Sequence, residues 1–239
     1  MARLFIFGIG GTGSRIIKAL TMLMASGIEV PNTSEIVPII IDPDAQNGDM
    51  TRTVEILNDY QKIYDAIEHT QNGFFKTKIT TLKKLAEQSG TANVALAETF
   101  QYNINGTKEG RFREFIDYSL LDETNKALVD LLYPEHLLNL SLDEGFKGNP
   151  NIGAVVLNQF KYSNELKQFA NLFQTGDRIF IISSIFGGTG AAGFPLLLKN
   201  LRNADATELA NHKLIQDAPI GAVTVMPYFG VEPKAGGMI

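Results

Sequence analysis

Two glycine-rich turns, each lying between an apolar run and a helical pattern, constrain the fold of this chain more than any other feature. The first, GIGGTGS at 8–14, follows the run at 3–7, and the second, IFGGTGAAGFP at 185–195, follows the run at 178–184. A strand that ends in such a turn before a helix leaves backbone N–H groups directed at one point, where a phosphate binds well. Glycine lets the backbone approach a ligand and adopt positive φ. Two such turns predict two phosphate-binding loops around one nucleotide.

Strand and helix patterns alternate along the chain, which predicts an α/β fold. Continuous apolar runs that predict buried strands lie at 4–7, 36–41, 179–183 and 219–226. Apolar residues at helical spacing predict helices at 14–25 and 152–173. Alternation of this kind predicts a Rossmann-like, mainly parallel sheet with helices on both faces. Ligands of such sheets bind at the carboxyl ends of the strands, where both glycine turns are expected.

Residues 51–142 interrupt this alternation. Amphipathic helical patterns at 54–67 and 112–133 flank a polar, glycine-containing region at 90–110. We therefore predict a helical insertion over 51–142, between the second strand and the next motif. Its charged residues are of both signs, which is typical of a solvated surface.

Composition excludes several classes of function. The 239 residues, 44% of them hydrophobic, are enough for the core of one large domain. A net charge of -5 argues against a nucleic-acid partner, and the lack of cysteine excludes disulfides, thiolate metal sites and a cysteine nucleophile. A strand begins within the first few residues, and no apolar run approaches the roughly 20 residues that span a bilayer. A cytoplasmic chain without signal peptide or membrane span is the expectation.

Several motifs, taken in chain order, resemble those of the tubulin/FtsZ superfamily. The turn at 8–14 resembles the first phosphate loop of FtsZ-type proteins, and DPDAQ at 42–46 resembles the second loop. GNPNIG at 148–153 is similar to the third loop, and GGTG at 187–190 aligns without gaps to the tubulin signature. Short matches in the family's own order are more specific together than any one of them alone.

The end of the chain extends this resemblance and also departs from it. GAVTVMPYF at 221–229 resembles the next strand and loop of the family, and Glu232 lies near the family's ribose-contacting acid. Phe186 and Ala192 replace signature glycines, and 51–142 is longer than the family's usual connection. In the family a central helix, an acidic loop and an activation domain follow. These do not occur in the 239 residues, so we expect the nucleotide-binding half of a longer protein.

The resemblance implies a site for GTP or GDP and Mg²⁺. Backbone N–H groups of the glycine loops would bind the phosphates, and Glu232 would accept hydrogen bonds from the ribose. Asp44, together with Asp42, would position Mg²⁺ through water, because Mg²⁺ keeps much of its hydration shell. The residues implied in nucleotide binding are Gly10, Gly11, Thr12, Gly13, Ser14, Asp42, Asp44, Gly148, Asn149, Gly187, Gly188, Thr189, Gly190 and Glu232. Asp44 is the implied metal ligand, and no residue is an evident general base.

Three functional hypotheses remain open at this point. The first is a self-assembling, tubulin-like GTPase that needs a neighbouring subunit for hydrolysis, with self-association of the full-length protein. The second is a nucleotide-binding scaffold or regulator without turnover. The third is a Rossmann-type NAD enzyme or a ThiF/E1-like adenylating enzyme, since a GxGGxG turn and an acid at Asp42 occur there too. The third hypothesis does not account for 148–153 or 187–190.

Overall fold

A parallel six-stranded sheet forms the centre of the fold, as the alternating pattern predicts. The computed structural model describes residues 2–44, 48–70, 73–91, 96–102, 104–107, 110–228 and 230. The strands are β1 (Arg3–Ile9), β2 (Glu35–Ile41), β3 (Lys78–Ile79), β4 (Gln101–Tyr102), β5 (Arg178–Ser184) and β6 (Ile220–Val225). The helices are α1 (Gly10–Ala25), α2 (Gly48–Ala66), α3 (Leu82–Gln88), α4 (Phe112–Phe115), α5 (Glu123–Leu132), α6 (Glu135–Leu138), α7 (Pro150–Leu157), α8 (Asn164–Leu172), α9 (Thr189–Arg202) and α10 (His212–Asp217). Across the described parts of the chain, no helix is both long enough and apolar enough to cross a membrane.

The strand order is β3-β2-β1-β5-β6, and β4 also pairs with β2. β3 and β4 lie beside opposite ends of β2, since Glu35 is opposite Lys78 whereas Ile40 is opposite Gln101. The main order is that of the first five strands of the doubly wound nucleotide-binding fold. Its direction reverses between β1 and β5, and the crevice at such a reversal is where ligands of these folds bind.

Side chains of the central strands β1, β2 and β5 alternate between two apolar cores, so this part of the sheet is covered on both faces. Phe5 and Phe7 of β1 point to the core beneath α3, α7, α8 and α9, where both rings make edge-to-face contacts with Phe169 at 4.9 and 5.3 Å. Ile6 and Ile40 point to the other core, beneath α1 and α2. Burial on both faces explains why these strands read as continuous apolar runs.

Two predicted helices are each divided into shorter segments. The predicted helix at 152–173 becomes α7, a 3₁₀ segment and α8, because the hydroxyl of Ser163 accepts a hydrogen bond at 3.1 Å from the first turn of α8. The predicted helix at 112–133 becomes α4, a 3₁₀ turn and α5. Here Asp117 adopts a φ of 49°, and the carboxylate of Asp122 caps α5. In both regions, a capping side chain thus starts a new helix where the sequence pattern predicts one continuous helix.

The range 51–142, predicted as a helical insertion, is not helical throughout. It supplies β3 and β4 to the edge of the sheet beside β2. Most of α2 also lies in this range, and α2 packs on α1, with the Thr53 hydroxyl donating to the Ser14 carbonyl oxygen at 3.1 Å. Much of the range therefore belongs to the sheet and its covering layers.

Candidate functional site

The two glycine turns meet at the carboxyl edge of the sheet, as the sequence predicts. They follow neighbouring parallel strands, with Gly8 of β1 opposite Ile182 of β5. Gly10 begins α1 directly after β1 and has a φ of +69°. A Cβ added to Gly10 would lie 3.5 Å from the Cβ of Thr189, the first residue of α9. The starts of α1 and α9 are therefore in contact.

The turn after β5 is open on one side and tightly packed on the other. Gly187 is exposed, with a φ of +83° and no atom within 4 Å of an added Cβ. Gly188 is buried, and a Cβ added to it would lie 2.6 Å from the Cβ of Phe146. Carbon atoms of different residues normally approach to about 3.5 Å. Gly188 thus lets the turn lie close to the loop that contains Phe146, while Gly187 leaves space at the surface.

A third segment, at 145–149, completes the edge. Gly145 and Gly148 have φ values of +79° and +82°, and Gly148 is exposed with no atom near an added Cβ. A Cβ added to Gly145 would lie 3.8 Å from the Thr189 hydroxyl oxygen and 3.9 Å from the Pro43 Cγ. The segment therefore bridges the turn after β5 and the loop after β2. The Asn149 side-chain amide donates to the carbonyl oxygens of its own turn, at 3.0 and 3.2 Å, and so stabilises the backbone there.

Three of the predicted residues serve packing between helix and strand. A Cβ added to Gly13 would lie 2.5 Å from the carbonyl carbon of Gly8, so Gly13 lets α1 lie directly on β1. Ser14 is fully buried, and its hydroxyl donates to the Gly10 carbonyl oxygen at 3.3 Å. Gly190 similarly lets α9 lie close to β5, since a Cβ added to it would lie 2.6 Å from the Ser184 Oγ. Of these three residues, only Gly190, the second residue of α9, has a backbone N–H without an intrahelical partner; those of Gly13 and Ser14 lie beyond the first three positions of α1.

The loop after β2 carries the two predicted acids to the same edge. Asp42 is only 4% exposed, and its Oδ1 accepts a hydrogen bond from the Asp44 backbone N–H at 3.1 Å. Asp44 is partly exposed. Within the ranges that the structure describes, no group of three or more His, Asp or Glu side chains is placed to hold a metal ion. Mg²⁺ typically takes one or two carboxylates together with phosphate oxygens, so Asp44 remains a predicted ligand.

Three helices that begin at this edge, with N-caps among the described residues, lack side-chain caps. No N-cap side chain bonds to the first turn of α1, α7 or α9, which follow Ile9, Asn149 and Gly188. Of the helices that begin elsewhere, α5 and α8 are capped by Asp122 and Ser163, whereas α6 and α10 also lack a side-chain cap. Each helix N-terminus carries roughly half a positive charge and N–H groups without intrahelical partners. Three such N-termini around one crevice are suited to a ligand with several negative charges.

One basic residue at this edge was not predicted. Lys147 lies between Gly145 and Gly148 and is exposed, with a φ of 46° that is uncommon for a residue with a side chain. Its Nζ is 3.0 Å from Glu144 Oε2. The sequence offered one signal, a lysine enclosed by two glycines shortly before Asn149.

The remaining predicted residues are located as follows. Gly11 and Thr12 are half-buried in the first turn of α1. Glu232 lies outside the described residues, as do Ala45 and Gln46 of the predicted second loop. Of the fourteen predicted residues, the structure thus brings thirteen to one edge of the sheet, from four loops.

Comparison of the chain with models of known protein families gives no match, and comparison with curated proteins gives none either.

Proposed function

We propose that the chain is the nucleotide-binding domain of a tubulin/FtsZ-like GTPase, with GTP or GDP bound at the carboxyl edge between β1 and β5. The observation that carries this proposal is the contact among the glycine loops. Gly10 approaches Thr189, and Gly145 lies between Thr189 and Pro43. The resemblance in sequence predicts that these same loops serve one nucleotide.

The phosphates would be bound mainly by backbone N–H groups. The uncapped first turns of α1, α7 and α9 supply such donors, and their combined partial charge of roughly +1.5 complements a di- or triphosphate. The exposed, positive-φ residues Gly148 and Gly187 leave room for close approach of the phosphate oxygens. Lys147 would add a positive charge beside them. Hydrogen bonds from N–H groups to phosphate are charge-assisted and hence strong.

Mg²⁺ would be held from the loop after β2. The contact between Pro43 and Gly145 brings that loop next to the third segment, and this supports the proposed role of Asp44, the residue after Pro43, as a ligand of Mg²⁺. When bound, Mg²⁺ would neutralise charge on the phosphates during transfer. Asp42 is buried against its own loop, which fits a role in shaping the loop better than a ribose contact.

Hydrolysis would depend on a group from outside this chain. Phosphoryl transfer needs a residue that positions the attacking water, and among the described residues of the four loops none is an evident candidate. We therefore propose slow turnover by the chain alone and faster turnover on self-assembly. Phosphate release measured against protein concentration tests this part: the specific rate should rise with concentration. A rate independent of concentration but well above that of free GTP would show that the chain carries its own catalytic group.

Calorimetric titration with GDP, GTP, ATP and NAD in the presence of Mg²⁺ tests the proposed site. The guanine nucleotides should bind most tightly, and a preference for ATP or NAD would contradict the proposal. Gly148→Leu should abolish binding by filling the space that the phosphates need. Gly90→Leu is the matched control, because Gly90 also has positive φ (+70°) and no atom near an added Cβ, but it follows α3. Equal loss of affinity in both variants would show that strain, not occupancy of the site, is responsible.

A further inference from the structure

A cavity of about 460 Å³ lies between the loop that follows β4 and the turn that leads into α8. None of its lining residues belongs to the four loops of the candidate nucleotide site. Cavities that bind small ligands typically measure about 300–1,000 Å³. The wall is mainly polar, with side chains of Tyr102, Asn105, Gln159, Ser163, Asn164 and Glu165. The cavity therefore has the size and the kind of wall that suit a small polar ligand.

Hydrogen bonds and ring packing hold the walls of this cavity in place. The Gln159 side chain pairs with both backbone groups of Asn105: its Oε1 accepts from the N–H at 3.0 Å, and its Nε2 donates to the carbonyl oxygen at 3.1 Å. Tyr102 is only 2% exposed, and its ring packs edge to face on Phe160 with the centroids 4.7 Å apart. A wall that is already ordered costs little conformational entropy when a ligand binds.

Glu165, the second residue of α8, brings a half-buried carboxylate to the cavity. Burial raises its pKa, and the hydrogen bond that opposes this rise comes from its own backbone N–H. Among the residues that the structure describes, no lysine, arginine or histidine forms an ion pair with Glu165, and Lys161 pairs instead with Glu208 at 2.6 Å. A carboxylate that is removed from water without a cation costs stability. A ligand that supplies the missing positive charge accounts for its position.

The chemistry of the wall selects the kind of ligand. The Glu165 carboxylate repels anions, and an apolar ligand would leave the polar wall without hydrogen bonds. Metal ions such as Ca²⁺ need six or more oxygen ligands, whereas Glu165 is the one carboxylate among the lining residues. An ammonium group has three N–H donors and one positive charge. The carboxylate can accept one of these hydrogen bonds, and the side-chain oxygens of Tyr102, Asn105 and Asn164 offer further acceptors in the same wall.

We infer that this cavity binds a small organic cation through a primary ammonium group that pairs with the Glu165 carboxylate. The ammonium group can belong to a free amine or to a lysine side chain of a peptide, since both offer the same chemistry. Hydrogen bonds between such charged groups are short and strong. A ligand that binds the folded chain alone also stabilises it, so the amine should raise the melting temperature.

Amide NMR spectra of the chain during titration with n-butylamine, without nucleotide, are the first test. Signals of 102, 105 and 163–165 should shift along one saturable curve. Glu165→Gln should weaken binding at least tenfold and abolish the rise in melting temperature. Glu123→Gln is the matched control, because Glu123 also lies in the first turn of a capped helix but its side chain is 97% exposed; it should change the affinity less than twofold. Equal affinity of the wild type and Glu165→Gln overturns the inference.

Three further probes define the ligand chemistry. Neither n-butanol, which lacks the charge, nor tetramethylammonium, which lacks N–H donors, should bind. Binding of tetramethylammonium as tight as that of n-butylamine would indicate general attraction by the net charge of -5 and would contradict the inference. The amide of Nα-acetyl-lysine separates the two sources: tighter binding than n-butylamine assigns the cavity to a lysine side chain, and weaker binding assigns it to a free amine. Because nucleotide is absent, each outcome is independent of the proposed nucleotide site.

Discussion

The contact between Gly188 and Phe146 gives the sharpest test of how the candidate site is built. Gly188→Ala adds a Cβ 2.6 Å from the Phe146 Cβ and 3.2 Å from the Phe146 Cα and carbonyl carbon. Ordinary carbon contacts lie at about 3.5 Å, so the two loops must separate by about 1 Å. Overpacking of this kind costs about 1–3 kcal/mol. The φ of Gly188, -89°, is normal for alanine, so backbone strain does not contribute.

The same displacement should weaken nucleotide binding. Hydrogen bonds from N–H to oxygen have donor–acceptor distances within about 2.7–3.2 Å, so a shift of 1 Å removes a bond. A bond to a charged group contributes about 1.5–3 kcal/mol, which corresponds to roughly a 10- to 100-fold loss of affinity. At about 2–4 °C per kcal/mol for a chain of this size, the melting temperature should fall by about 2–12 °C.

Differential scanning calorimetry and GDP titration of Gly188→Ala measure both effects. Gly48→Ala is the matched control: it lies at the start of α2, its φ is not in the left-handed region, and an added Cβ would be 3.6 Å from the nearest atom. The control should retain both stability and affinity. If Gly188→Ala matches the control in melting temperature and in affinity, the close approach of the two loops is refuted.

Three further predictions concern single side chains. Asp177→Asn should destabilise the fold by about 3–5 kcal/mol in urea denaturation, because the buried Asp177 carboxylate accepts hydrogen bonds from Arg3 Nε at 3.1 and 3.2 Å, and its loss leaves a buried charge unpaired. Glu165→Gln should stabilise the chain at neutral pH and have little effect below pH 4.5. Burial raises the pKa of Glu165 above 4.5, so the folded state is penalised only when this carboxyl is ionised; melting curves across pH measure the difference. Asp44→Ala should reduce the effect of Mg²⁺ on GTP affinity while leaving the affinity without Mg²⁺ nearly unchanged, as calorimetry with and without EDTA measures.

Each of these predictions has a contradicting result. A loss of less than about 1 kcal/mol in Asp177→Asn would show that the pair with Arg3 is dispensable. Destabilisation of Glu165→Gln at pH 7 would mean that the ionised form is favoured in the folded state. An unchanged response to Mg²⁺ in Asp44→Ala would remove Asp44 from the metal site.

The central strands β1, β2 and β5 were predictable from sequence because they are buried on both faces of the sheet. Runs such as 36–41 are apolar at every position for this reason, and they were assigned correctly. The strands β3 and β4 have only two residues each and pair with β2 alone, so they leave no periodic pattern to detect. The break at Ser163 was also missed, since the apolar spacing continues through it and only the hydroxyl contact marks the start of α8.

The candidate site was predictable as a set of loops but not residue by residue. Sequence cannot distinguish a glycine that faces a ligand from one that lets a helix lie on a strand. Gly187 is open to the surface, whereas a Cβ added to Gly13 or Gly190 would lie less than 3 Å from a neighbouring atom. Lys147 was missed because its left-handed backbone, which places it within the loop, is a property of the fold and not of the residue type.

The central claim is that separate glycine loops bind one nucleotide, and amide NMR spectra recorded during titration with GDP and Mg²⁺ test it most directly. The account predicts that backbone N–H signals at 10–13, 147–149 and 187–190 shift together along a single binding curve. Signals of α5, which begins elsewhere, should stay in place. If only the signals at 10–13 respond, the chain binds its ligand as a simple Rossmann-type domain. If the three loops do not respond to GDP at all, the proposed site is contradicted.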